Sequence, residues 1–167
     1  MRRRDLILGA TASVALSACS SQPAKLRRYN GPDVTFVVVN KGARRMHLLN
    51  NEAVLRSYNI NLGFAPIGHK EFEGDGRTPE GLYRIDRRNP QSQYHLSLGI
   101  SYPNVNDFAA AQAMGKSPGG NIFIHGQKNP HLPDDPDWTW GCIAVKNEEI
   151  EEIYAMVRTG TLIQLNA

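Results

Sequence analysis

Cysteine is scarce in this sequence: Cys19 and Cys142 are the two in 167 residues. One disulfide at most could form, which excludes a disulfide framework. Long apolar runs are lacking too. Leu6 to Leu16 falls well short of the roughly 20 apolar residues a membrane-spanning helix needs. There is no internal repeat, coiled-coil heptad or low-complexity segment. Nor is there a large excess of one charge. The chain carries 19 Lys and Arg against 16 Asp and Glu, and the surplus sits at the start, in Arg2, Arg3, Arg4, Lys25, Arg27 and Arg28. Beyond them, 13 basic residues face 15 acidic ones. The sequence pI of ≈ 9.0 therefore belongs to the tail and does not mark a nucleic-acid-binding face.

The first residues read as a targeting segment. A positive n-region, Arg2-Arg3-Arg4, precedes the apolar run from Leu6, whose size suits a signal-peptide h-region of about 7–15 residues. Leu16-Ser17-Ala18-Cys19 resembles a lipobox, after which a bacterial lipoprotein is cleaved and its new N-terminal cysteine acylated. Arg3-Arg4-Asp5-Leu6-Ile7 also resembles a twin-arginine export signal. The expected division is a signal peptide at 1–18, a lipidated tether at 19–31 and one domain at 32–167. The tether is rich in Ser, Gln, Pro and basic residues, with little to bury. These features imply a periplasmic, lipid-anchored protein of the bacterial envelope. Ser20 after Cys19, instead of Asp, points to the outer membrane by analogy with lipoprotein sorting. Cys142 would then be a lone thiol in an oxidising compartment.

Short, β-branched runs dominate the remainder. Residues 33–40, 44–49 and 53–60 predict a three-stranded meander. Residues 61–81 form a long Gly/Pro-punctuated loop, a length usually tied to function or disorder. Strands are expected at 82–86, 94–98, 121–124, 142–145 and 161–165. A short helix fits 106–114, ending at Gly115. A second is expected to be capped by Asn147, with Glu148, Glu149, Glu151 and Glu152 near its positive end. Ile150, Ile153, Tyr154 and Val157 give that helix one apolar face. The expected architecture is mainly β, a sandwich or barrel with two short helices.

Two segments carry chemistry: Ile124-His125-Gly126 and Thr139-Trp140-Gly141-Cys142-Ile143. A thiol has a free pKa near 8.5 and needs a proton acceptor at neutral pH. His125 shares the strand-plus-glycine setting of Cys142 and is the candidate base. The backbone N–H groups of Gly141 and Cys142 are candidate donors to an oxyanion. A zinc site from His125, His131 and Cys142 uses acceptable ligand types but lacks the compact pairs of known zinc motifs. Asp134, Asp135 and Asp137 read as a solvated loop face, with contact to a cationic substrate amine as the lesser reading.

The chain resembles the L,D-transpeptidase catalytic domains of the YkuD-like family. The resemblance rests on His125, on Thr139-Trp140-Gly141-Cys142-Ile143, and on Thr78-Pro79-Glu80-Gly81-Leu82-Tyr83-Arg84-Ile85. It covers residues 33–165 and implies the family's β-sandwich. Trp140 stands where the family usually has a second histidine, and Ala144 where many members have Arg or Asn. The 13 residues between His125 and Thr139 are slightly fewer than usual. This pattern resembles the YafK-like branch, which includes enzymes that hydrolyse envelope linkages as well as enzymes that form them.

The resemblance implies a cysteine acyltransferase acting on peptidoglycan stem peptides through a Cys142 thioester, with no cofactor and no metal. The acceptor would be a second stem peptide, a lipoprotein lysine or, in a hydrolase, water. Gly126, Thr139, Trp140, Arg77 and Tyr102 are candidate substrate contacts. Packing serves equally well for Trp138, Trp140 and Tyr102, and a Gly-flanked loop arginine such as Arg77 is more often just solvated. A non-catalytic wall-binding lipoprotein is the other function class; a lone oxidisable thiol beside glycine argues against it.

Overall fold

The computed structural model describes residues 26–127 and 136–167. The expected signal peptide, Cys19 and the start of the tether lie outside these residues, as do His131, Asp134 and Asp135. Among the described residues no helix is long and apolar enough to cross a membrane.

Among the described residues, eight strands and two helices follow one another. The strands are β1 (Phe36–Asn40), β2 (Arg45–Asn50), β3 (Ala53–Asn59), β4 (Gly81–Ser92), β5 (His95–Ile100), β6 (Phe123–His125), β7 (Ile143–Ala144) and β8 (Leu162–Asn166). Helix α1 (Val105–Ala113) lies between β5 and β6, and α2 (Asn147–Met156) between β7 and β8. The sheet order is β3-β2-β1-β8-β4-β5-β6-β7. The expected meander is there, with antiparallel pairing of β1 to β2 and of β2 to β3. The last strand, β8, inserts parallel to β1.

β4 joins the two halves of the fold. Gly81 to Arg84 pairs with β8, while Ile85 onward pairs with β5. It runs well past the expected end at residue 86. The register shifts between Ile85 and Arg87 and again between Asn89 and Ser92, so bulges bend the strand. The polar Arg87-Arg88-Asn89-Pro90 run hid this extension, and Pro90 falls within the second irregularity. A single core fills the bent sheet: Val37 and Val39 from β1, Met46 and Leu48 from β2, and Ile163 and Leu165 from β8 meet Leu96, Leu98, Ile124 and Ile143. The far edge, β7, is then covered by the connection that follows β3. Asn61 and Ala144 exchange backbone hydrogen bonds at 2.9 and 2.8 Å, and Phe64 N–H donates to Thr139 O at 2.9 Å.

Helix α1 starts with a reciprocal cap and α2 with a one-sided one. Asn104 Oδ1 accepts from the Asn106 and Asp107 N–H groups, and Asp107 Oδ2 accepts from Asn104 N–H. In α2 the cap is Lys146, whose N–H donates to Glu149 Oε2 at 2.9 Å. Asn147, expected as the cap, is the first helical residue instead. Its side chain accepts from Gln127 N–H at 2.7 Å, which ties the exit of β6 to the helix. The apolar face of α2 is buried as expected, through Ile150, Ile153 and Tyr154.

The long 61–80 connection is organised from within by two buried lysines. Lys41 Nζ donates to Gly68 O, Thr78 O and Glu80 Oε1, and Lys70 Nζ to Phe72 O and Asp75 Oδ1. All three donors of Lys41 are thereby satisfied, which is what lets a lysine be buried.

Candidate active site

The register of two short strands brings the sequence-predicted pair together. β6 and β7 run parallel, with Ile124 opposite Ile143 and His125 opposite Ala144. Side chains alternate along a strand. Ile124 and Ile143 therefore face the core, while Phe123, His125 and Cys142 turn to the other face. There His125, Cys142, Trp138, Thr139, Trp140 and Tyr94 line a cleft of about 390 Å³.

His125 is buried, and its Nδ1 lies 2.6 Å from Gly126 O. A carbonyl only accepts, so the proton sits on Nδ1 and Nε2 carries a lone pair. The Tyr94 ring lies tilted on the imidazole at 4.6 Å between centroids, and Trp138 meets it edge-on at 5.6 Å. Burial lowers the His125 pKa, and the Gly126 hydrogen bond opposes that shift only in part. Gly126 itself has no room for a side chain, since a Cβ would sit 2.5 Å from Asn147 Oδ1.

Cys142 is a free, partly accessible thiol. Its Sγ donates to Asn121 O at 3.5 Å. Burial pushes its pKa up, against the Phe123 N–H and the charge of Lys70, which favour the thiolate. Burial thus favours the neutral form of both thiol and imidazole. Gly141 has φ of +117°, and a Cβ there would approach Arg77 O to 2.6 Å. Only glycine suits that backbone.

Several candidate residues hold positions other than those expected. The Gly141 N–H is taken by Thr139 Oγ1 at 3.2 Å, and the same hydroxyl donates to Cys142 O at 2.8 Å. Thr139 is therefore a staple of the Cys142 turn as well as part of the cleft wall. Arg77 pairs with Glu71 at 2.7 Å and is absent from the cleft lining. Tyr102 is buried, with its hydroxyl donating to Pro118 O at 3.2 Å. Trp140 is 72% exposed at the rim, edge-to-face with Phe64 at 5.0 Å. Asp137 is not a solvated face residue, because it pairs with Arg44 at 2.6 Å and accepts from Leu62 N–H. Among the described residues no group of three His, Cys, Asp or Glu is placed to hold a metal ion.

Sequence reasoning missed Tyr94 and Asn121. Tyr94 lies in a turn with no motif of its own. Asn121 adopts φ of +56°, a conformation Asn tolerates better than most residues, and its place after Gly119-Gly120 was a usable signal.

Comparison with known proteins gives the family and the fold. The family model of the L,D-transpeptidase catalytic domain (YkuD) matches residues 34–165. Escherichia coli YafK, named for an L,D-transpeptidase activity, is 32% identical over 112 residues, which is 66% of this chain and 39% of that protein. The chain thus spans about two fifths of the length of that curated relative. The helical cell shape determining protein Pgp2 of Campylobacter jejuni is 27% identical with a TM-score of 0.62, over 87% of this chain and 51% of that one. Mycobacterium tuberculosis L,D-transpeptidase 1 shares the fold at 14% identity and a TM-score of 0.52, over 81% of this chain and 62% of its own. With its β-rich, two-helix fold and a family match from Val34 to Leu165, the chain belongs to the L,D-transpeptidase catalytic domain family.

Proposed function

We propose that this chain is an L,D-transpeptidase that acts on peptidoglycan stem peptides through a Cys142 thioester, in cell-wall cross-linking or remodelling. The observation that carries the reading is the shared cleft of Cys142 and His125, in which Nε2 of the imidazole holds a lone pair. On substrate binding the Sγ proton passes to Nε2, and the sulfur attacks the carbonyl at the L-centre of the diaminopimelate residue. The Cys142 N–H supports the developing oxyanion, since the Gly141 N–H is committed to Thr139. His125 then gives the proton to the departing amine, commonly D-Ala, leaving a thioester. A second stem peptide or a lipoprotein lysine resolves it by aminolysis; water resolves it by hydrolysis. Anchoring at the envelope rests on Leu16-Ser17-Ala18-Cys19.

Intact-mass spectrometry of the full chain in detergent, incubated with disaccharide-tetrapeptide, tests the reading. A mass gain equal to substrate minus D-Ala, absent from Cys142→Ala, is expected together with dimeric muropeptides. Tripeptide without dimers would assign hydrolysis. No adduct and no product, with tetrapeptide or with lipoprotein-linked peptidoglycan, would overturn it in favour of a wall-binding protein.

A further inference from the structure

The imidazole of His125 has an unusual set of neighbours for a general base. Its Nδ1–H donates to Gly126 O, and two aromatic rings cover it. Among the described residues no carboxylate forms an ion pair with it. Burial disfavours its cationic form. Yet any mechanism in which it takes the Cys142 proton needs an imidazolium in that place.

The turn before β5 delivers one of those rings with some care. Ser92 pairs with His95 across the turn, and Tyr94 N–H donates to Ser92 Oγ at 3.1 Å. His95 takes φ of +73°, which a non-glycine residue adopts only when its surroundings hold it there. The hold is visible: His95 Nε2 lies 2.9 Å from Glu151 Oε1 of α2. Tyr94 O in turn accepts from Gly126 N–H at 3.0 Å, beside the carbonyl that anchors His125. The Tyr94 backbone and the Tyr94 ring thus grip the same short stretch, Gly126 and His125.

We propose that Tyr94 is a positioning residue for His125, its ring fixing the imidazole plane with Nε2 turned to the cleft and stabilising the imidazolium formed when Cys142 is deprotonated. A ring face attracts a cation through its quadrupole. With Gly126 O accepting from Nδ1–H, it supplies the support that a carboxylate gives in a triad. The proton moves from Sγ to Nε2 without any other reactant. The charged group acting on Cys142 from outside this set is Lys70, paired with Asp75 and the same in every variant below. This inference rests on the Cys142–His125 pairing of the proposed function but not on its substrate.

Alkylation of Cys142 by iodoacetamide tests it, on the full chain in detergent from pH 5 to 10, with peptide mass spectrometry to separate Cys142 from Cys19. Tyr94→Phe should match the wild type, and Tyr94→Leu should react about fivefold more slowly at pH 7. His125→Asn should be slower than either. Should Tyr94→Leu fail to fold, phenylalanines bearing one, two and three ring fluorines at position 94 keep the shape while weakening the quadrupole. Their rates should fall in that order. Equal rates across that series, or a Tyr94→Leu profile identical to wild type, would overturn the proposal. No peptidoglycan is involved, so an enzyme with the expected alkylation profile but no muropeptide product would fail the substrate reading alone.

Discussion

The hydroxyl of Thr139 holds Cys142 from behind: it donates to the Cys142 carbonyl at 2.8 Å while accepting from the Gly141 N–H at 3.2 Å. Thr139 is itself fixed to the long loop, its N–H donating to Leu62 O and its carbonyl accepting from Phe64 N–H. Replacing Thr139 by Val keeps the shape and removes both hydroxyl bonds. We expect a loss of about 1–3 kcal/mol in stability and a fall in kcat larger than any change in KM. Thr139→Ser should restore most of both, as measured by thermal melts and muropeptide turnover.

The pH profile of kcat/KM should be displaced outward on both limbs. That parameter reports the ionisations of the free enzyme. The His125 pKa is lowered, so its neutral, proton-accepting form persists to more acid pH than an ordinary imidazole near 6.5 allows. The Cys142 pKa is raised, so the resting thiol persists to more alkaline pH than a free cysteine. An acid limb centred at or above 6.5 would contradict this placement.

Asp75 should make the 61–80 connection acid-sensitive. Burial opposes its charge, but Lys70 and the N–H groups of Glu71, Arg77 and Phe72 outweigh that, and its pKa is lowered. A carboxylate with a lowered folded pKa contributes fully above the unfolded value near 3.9 and loses its contribution as pH falls through the folded value. Asp75→Asn leaves Lys70 buried without its partner and should cost about 3–5 kcal/mol at pH 7. Urea titrations should show the gap to wild type closing below about pH 4.

Gly126→Ala tests the coupling of β6 to α2. The added Cβ would lie 2.5 Å from Asn147 Oδ1 and 3.0 Å from both Tyr94 O and Ile150 Cγ2. Overpacking of this kind costs about 1–3 kcal/mol. The urea midpoint should fall, and the Cys142 alkylation rate with it, because Tyr94 is among the atoms displaced.

Local pattern carried most of the fold. The Val37-Val38-Val39 run, the Ile150/Ile153/Tyr154 face and the Ala-rich stretch ending at Gly115 each form the expected element, since period and propensity act over a few residues. What stayed hidden depends on partners far along the chain. Lys41 and Lys70 look like surface residues until the loop carbonyls close around them. Tyr94 reads as the first residue of a strand at 94–98, whereas it sits in the turn before β5, against His125 of β6. At the site, the glycine-flanked segments of His125 and Cys142 stood out in the sequence, and their meeting in one cleft comes from the pairing of β6 with β7. That Gly141 N–H would be taken by Thr139 was not, because a hydroxyl's choice of partner is set by backbone angles no motif spells out.

The bridges from Asn61 to Ala144 and from Gly63 to Thr139 also bear on how the protein behaves among its own copies. An unpaired strand edge is a template for another chain, and β7, two residues long and ending the sheet, would present one beside the Cys142 sulfur. The backbone of the long connection occupies that edge instead. Loosening it, by a proline at position 61 for instance, would offer neighbouring molecules a strand to add to and a thiol to oxidise together, so solubility and redox durability are properties of the same clasp.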